Sequence, residues 1–101
     1  MHLEEEAERK EEPQRSYRPR ISGVIAREVD DDLLLLDIES DLIHQLNRTA
    51  RLVWQGCEEC RSAAEIAARL ANEYEVGHDI AMEDVVTTLK RMQTLNLIVP
   101  A

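Results

Sequence analysis

The chain has 101 residues, 44% of them hydrophobic, with no Phe, one Trp and two Tyr. That suffices for one small domain around an aliphatic core of Leu, Ile, Val and Ala. A formal net charge of −9 makes phosphate-rich partners a poor default, and no apolar run reaches the ~18–20 residues of a membrane span.

Residues 1–20 carry six acids and five bases and almost no apolar side chains. Pro13 and Pro19 interrupt any helix there. Glu5 stands four residues ahead of Arg9, a pairing that suits a transient helix over residues 1–12. With no apolar face to bury, residues 1–20 are expected to be a charged, disordered tail before a domain over 21–101. The stretch also lacks the apolar segment of a secretory signal, so a cytoplasmic protein is the simplest expectation.

Residues 24–29 read as a first strand after Gly23, and Asp30, Asp31 and Asp32 as a tight turn. Residues 33–38 read as a second strand, apolar on both faces over four leucines. A turn at Glu39, Ser40 and Asp41 leads to a third strand over 42–46. There Leu42, His44 and Leu46 alternate with Ile43 and Gln45. Short strands with tight connections predict an antiparallel meander.

The third strand runs straight into a helix. Asn47 is a good N-cap, and Ala50, Val53, Trp54 and Cys57 fall at i, i+3, i+4 and i+7. This first helix is expected over 48–57, with Gly56 helping to end it. Ser62 and Glu65 form a capping box for a second helix whose stripe is Ala63, Ile66, Ala67, Leu70 and Tyr74. Asp79 can cap a third helix over 80–95, with Met82, Val85, Val86, Leu89 and Met92 inward. Asn96 tolerates a left-handed conformation and can stop it, and Leu97, Ile98 and Val99 then tuck onto the core. Strands first and helices after predict an α+β domain, a three-stranded antiparallel sheet followed by three helices, with a sheet edge left open.

Little here points to catalysis. Cys57 and Cys60 form the only cysteine motif, short of the four ligands of a structural zinc site, with His44 and His78 at no recognised spacing. Cys57 is expected to be buried and Cys60 incidental; a metal or redox pair is the alternative. Ser16, Ser22, Ser40 and Ser62 carry no nucleophile signature. Three glycines in the chain make no phosphate cradle. Asp30 to Asp32 lack the spaced ligands of a calcium loop. Trp54 is expected in the core rather than as a binding platform. The chain is read as a non-enzyme with no cofactor.

Three stretches carry a family resemblance: VIAREVDDDLLLLDIESDLIHQLNRTARLVW, SAAEIAARLANEY and DVVTTLKRMQTLNLI. Together they resemble the PqqD-like family of small peptide chaperones. The most specific residues are Leu46, Asn47, Thr49, Ala50 and Trp54, then Glu65, Ile66 and Ala67. The resemblance implies a winged-helix-like fold without catalysis. It implies binding of the leader segment of a ribosomally made precursor peptide, and delivery to a modifying enzyme such as a radical SAM enzyme, a protease or a cyclase. Pathways of pyrroloquinoline quinone, lasso peptides and related peptides are the implied settings. Asn96 replaces a usual glycine, and Leu42 and His44 stand where aromatic residues are frequent.

The expected site follows from that resemblance. A leader adds as an antiparallel strand to residues 42–46, with Leu42, Ile43, His44, Gln45 and Leu46 on the strand side. Val86, Lys90 and Gln93, at i, i+4 and i+7, supply the helix side. Val86 meets an apolar leader residue, and Lys90 or Arg91 pairs with a leader carboxylate; alternatively Val86 is core and both bases are only solvated. No nucleic acid or membrane partner is expected, and a homodimer is compatible with the sequence. The alternative function is a small winged-helix DNA-binding protein, for which the third helix offers only Lys90 and Arg91 against Glu83 and Asp84.

Overall fold

The computed structural model describes residues 13–20 and 22–101. Strand β1 (Tyr17–Pro19) is followed by β2 (Val24–Val29), β3 (Asp32–Asp37) and β4 (Leu42–Leu46). Helices α1 (Arg48–Glu58), α2 (Ala63–Tyr74) and α3 (His78–Thr94) come next, and β5 (Ile98–Pro100) closes the order. Strands β2, β3 and β4 form an antiparallel sheet in that sequence, so β4 is an edge among the described residues. Asp30 and Asp41 take positive φ in its two turns, a conformation Asp tolerates better than most residues.

Period-two alternation divides the sheet into two faces. Leu33, Leu35 and Leu46 are buried on the inner face, where Leu33 pairs with Leu46 and Leu35 with His44. Against them pack Leu52, Val53, Trp54 and Cys57 of α1, Ile66, Ala67 and Leu70 of α2, and Val85, Leu89 and Met92 of α3. Trp54 is core, as expected, and its indole N–H donates to Glu58 at 3.1 Å.

The helix starts follow the caps written in the sequence. Asn47 Oδ1 accepts the Ala50 N–H at 2.8 Å. Ser62 and Glu65 make the reciprocal capping box. Helix α3 differs: Gly77 is its N-cap, and Asp79 lies in the first turn, where its charge complements the helix dipole. The α3 stripe is Ala81, Val85, Leu89 and Met92. Met82 is partly buried against it. Tyr74, expected in the α2 stripe, is 39% exposed in the last turn.

Two helices end in the same way. After α1, the Cys60 N–H bonds to the Cys57 carbonyl and the Arg61 N–H to the Gly56 carbonyl. After α3, the Asn96 N–H bonds to the Gln93 carbonyl and the Leu97 N–H to the Met92 carbonyl. Both are Schellman motifs, with Cys60 at φ 56 and Asn96 at φ 61 in the left-handed position. Gly56 therefore does not end α1. It is buried within the helix, where a Cβ would stand 2.5 Å from Ile66 Cγ1, so its bareness lets α1 and α2 approach.

The expectation of a loose tail through Arg20 does not hold for residues 13–20. Tyr17–Pro19 pairs antiparallel with β5, and Tyr17 is buried in the core. The Ala63 and Ala64 N–H groups bond to the Arg15 and Pro13 carbonyls. Arg20 then ties three elements together: it donates to the Asn96 carbonyl, the Ser22 carbonyl and Asp37 Oδ1, the last at 2.8 Å. Asp37 is the one buried charged residue among those described, and it also accepts the N–H groups of Glu39 and Ser40. The bond from Arg20 holds the Asp37 carboxyl down at about 2. Leu97 and Ile98 are buried, as their apolar run implies. The expected helix over residues 1–12 lies outside the described residues.

Candidate functional site

Strand β4 passes directly into α1, and among the described residues no strand pairs with its outer side. An edge strand presents unpaired N–H and C=O groups at alternate residues. Beside this edge lies an open groove of about 800 Å³. Ile43, His44, Gln45 and Leu46 form its strand wall, and Asn47, Thr49 and Ala50 at the start of α1 close one side. The opposite wall is α3: Glu83, Asp84, Thr87, Thr88 and Arg91, with Met92 and Leu95. Leu97 completes the lining.

The expected strand side is thus assembled except for Leu42. That residue is 51% exposed at the strand start and does not line the groove. On the helix the expected phase is off by one residue. Arg91 lines the groove, but Val86, Lys90 and Gln93 do not. The lining row is Glu83, Thr87 and Arg91, at i, i+4 and i+8. Val86 is half-buried and Lys90 exposed on the neighbouring flank. The phase is set by Ala81, Val85, Leu89 and Met92 turning inward, and Ala81 contributes too little apolar signal to mark this from sequence. Asn47 and Thr49, read as cap and first turn, also border the groove.

The groove is polar along α3 and uneven in charge. Glu83 and Asp84 sit toward the helix start and Arg91 seven or eight residues later, a rise of about 11 Å. Extended peptide covers that distance in roughly three residues. His44 lies on the inner face opposite buried Leu35, and its Nε2 is enclosed without a hydrogen-bond partner among the described residues. Gln45, one residue on, has its amide bonded to Asp32 at 2.9 Å.

The cysteines lie elsewhere. Cys57 is buried in the core and Cys60 exposed at the helix stop, and no cluster of metal-binding side chains occurs among the described residues. Burial, with Cys60 and Glu58 adding smaller effects, pushes the Cys57 thiol up to about 12. No helix among the described residues is long and apolar enough to cross a membrane.

The sequence model of the family described as coenzyme PQQ synthesis protein D (PqqD) matches residues 32–98. The chain belongs to the PqqD family. Among solved structures, this PqqD-family chain resembles a lasso peptide synthetase B1 complexed with the leader peptide. The two are 30% identical with a TM-score of 0.76, over 83% of this chain and 98% of that one. TbiB1 in complex with the TbiA(beta) leader peptide is similar in fold: 21% identity, TM-score 0.73, over 80% of this chain and 93% of that one. No curated protein matches the chain.

Proposed function

We propose that this PqqD-family protein is a non-catalytic peptide chaperone. It binds the leader of a ribosomally made precursor peptide and presents it to a modifying enzyme. The observation that carries this reading is the β4 edge, unpaired among the described residues, beside a groove walled by α3. A peptide added at that edge gains backbone hydrogen bonds that need no particular sequence, while alternate side chains enter the groove and are selected there. The structural neighbours support the reading, since both were solved with a leader peptide. The 30% identical one, a lasso peptide synthetase B1, supports a lasso-type pathway. A cytoplasmic location follows from the reading, because newly translated precursor is available there.

The strand contribution is Ile43, His44, Gln45 and Leu46. The helix contribution passes from the expected Val86, Lys90 and Gln93 to Glu83, Thr87 and Arg91. Arg91 meets a leader carboxylate, and Glu83 with Asp84 meets a leader base.

The test is amide-shift mapping with the synthetic leader of a short precursor gene neighbouring the gene for this chain. Perturbations should cluster in Leu42–Leu46 and in residues 83–95. A saturable complex that leaves both segments unperturbed refutes this mode of binding.

A further inference from the structure

Two adjacent residues of the β4 edge carry features that the fold does not use. Ile43 is 66% exposed, the highest value among the large apolar side chains described. It stands opposite Leu36, which stands opposite Ile25, so the three form one apolar row across the outer face of the sheet. Cross-strand apolar neighbours stabilise one another, and this row stops unfinished at the open edge. His44 points to the other face, as alternation requires. It lines the groove, and its Nε2 is the one buried side-chain nitrogen or oxygen without a hydrogen-bond partner among the described residues. An enclosed polar atom left in that condition is costly until a partner arrives, and a neutral imidazole nitrogen can donate or accept.

We infer that the β4 edge reads two neighbouring residues of an extended peptide on opposite faces of the sheet. One is a β-branched or aromatic residue beside Ile43 that lengthens the Ile25–Leu36–Ile43 row. The other is a residue with a carboxylate, hydroxyl or amide that bonds His44 Nε2 inside the groove. The inference rests on the edge-addition reading above and adds what that edge selects. Adjacency is forced, because Ile43 and His44 are consecutive and the added strand alternates in step with β4. In antiparallel addition the polar residue comes immediately before the apolar one. A groove that read only inward side chains would place no constraint on the residue beside Ile43.

The test is selection of short random peptides, displayed on a surface, against the full chain and two variants. Wild-type protein should enrich a polar–apolar dipeptide in that order. Ile43→Lys should convert the apolar position alone to Asp or Glu. His44→Leu should convert the polar position alone to an apolar residue. For one synthetic peptide from the wild-type pool, Ile43→Ala should weaken binding about two- to fivefold. His44→Leu should weaken it about three- to tenfold. Matching urea midpoints establish that the variants fold, and His44→Gln, which keeps a hydrogen-bonding group, replaces His44→Leu if that variant does not. Peptides that perturb β4 amides but keep the same preferences on both variants overturn the inference and leave edge addition standing. Enriched peptides that leave β4 amides unperturbed overturn edge addition itself, and this inference with it.

Discussion

Gly56→Ala should destabilise the domain even though it improves helix propensity. In an isolated helix the change gains about 0.5–1 kcal/mol, because glycine loses more backbone entropy. Here an ideal Cβ would lie 2.5 Å from Ile66 Cγ1 and 2.6 Å from its Cδ1, well inside van der Waals contact. Cγ1 is one bond from the Ile66 Cβ, and a β-branched side chain on a helix has one strongly preferred χ1, so Ile66 cannot swing clear cheaply. Overpacking of this kind costs about 1–3 kcal/mol, which leaves a net loss of about 1–2 kcal/mol. Ile66→Ala alone should cost about 2–5 kcal/mol, since Ile66 is 3% exposed. With Ile66 truncated, Gly56→Ala should reverse sign and stabilise by at least its propensity gain of about 0.5 kcal/mol. The double-mutant cycle should therefore give a coupling of about 1.5–3 kcal/mol, measured from urea melts with linear extrapolation. The reasoning is refuted if Gly56→Ala stabilises the wild-type protein, or has the same effect in both backgrounds.

Tyr17→Ala should cost about 3–5 kcal/mol in urea melts, because Tyr17 is 2% exposed; no loss would mean that β1 adds nothing to the core. Arg20 holds Asp37 below the 3.8 of a free carboxyl, at about 2. The stability it adds is thus fully present above the unfolded value and lost as pH falls through about 2. Asp37→Asn should lower the urea midpoint at neutral pH and flatten its acid dependence in that window; parallel pH profiles would contradict the ion pair. Cys60 should react with a thiol reagent in the native protein while the buried, high-pKa Cys57 does not, as mass spectrometry of labelled protein would reveal; labelling of both at equal rates would refute the core placement. Arg91→Glu should weaken leader binding and Lys90→Glu should not, both with unchanged urea midpoints, because only Arg91 lines the groove; the reverse order in titrations would restore the phase expected from sequence.

Much of this protein is written in signals that span only a few residues. Alternation marks Leu42–Leu46, and its coupling to an Asn47 cap marks the corner that opens the edge. The Ser62–Glu65 box marks the start of α2, and Asn96 marks the end of α3. Each works through hydrogen bonds or side-chain spacing within about one helical turn, so the local sequence is enough to specify it. What the tertiary structure decided depends on contacts between distant segments. Tyr17 is one aromatic residue in a charged stretch, and it becomes core only because β5, some eighty residues later, pairs with its strand. Gly56 looks like a helix stop until Ile66 of the neighbouring helix is set against it. Asp37 ends an apolar strand and stays charged and buried only because Arg20 reaches it across the fold. The phase of α3 also could not come from its own sequence. Val85, Leu89 and Met92 are apolar on one side and Met82 and Val86 sit close beside them, so the pattern admits two rotations about one residue apart. Packing against α1 and α2 selects the rotation that turns Ala81 inward, and that choice puts Glu83, Thr87 and Arg91 on the groove instead of Val86, Lys90 and Gln93.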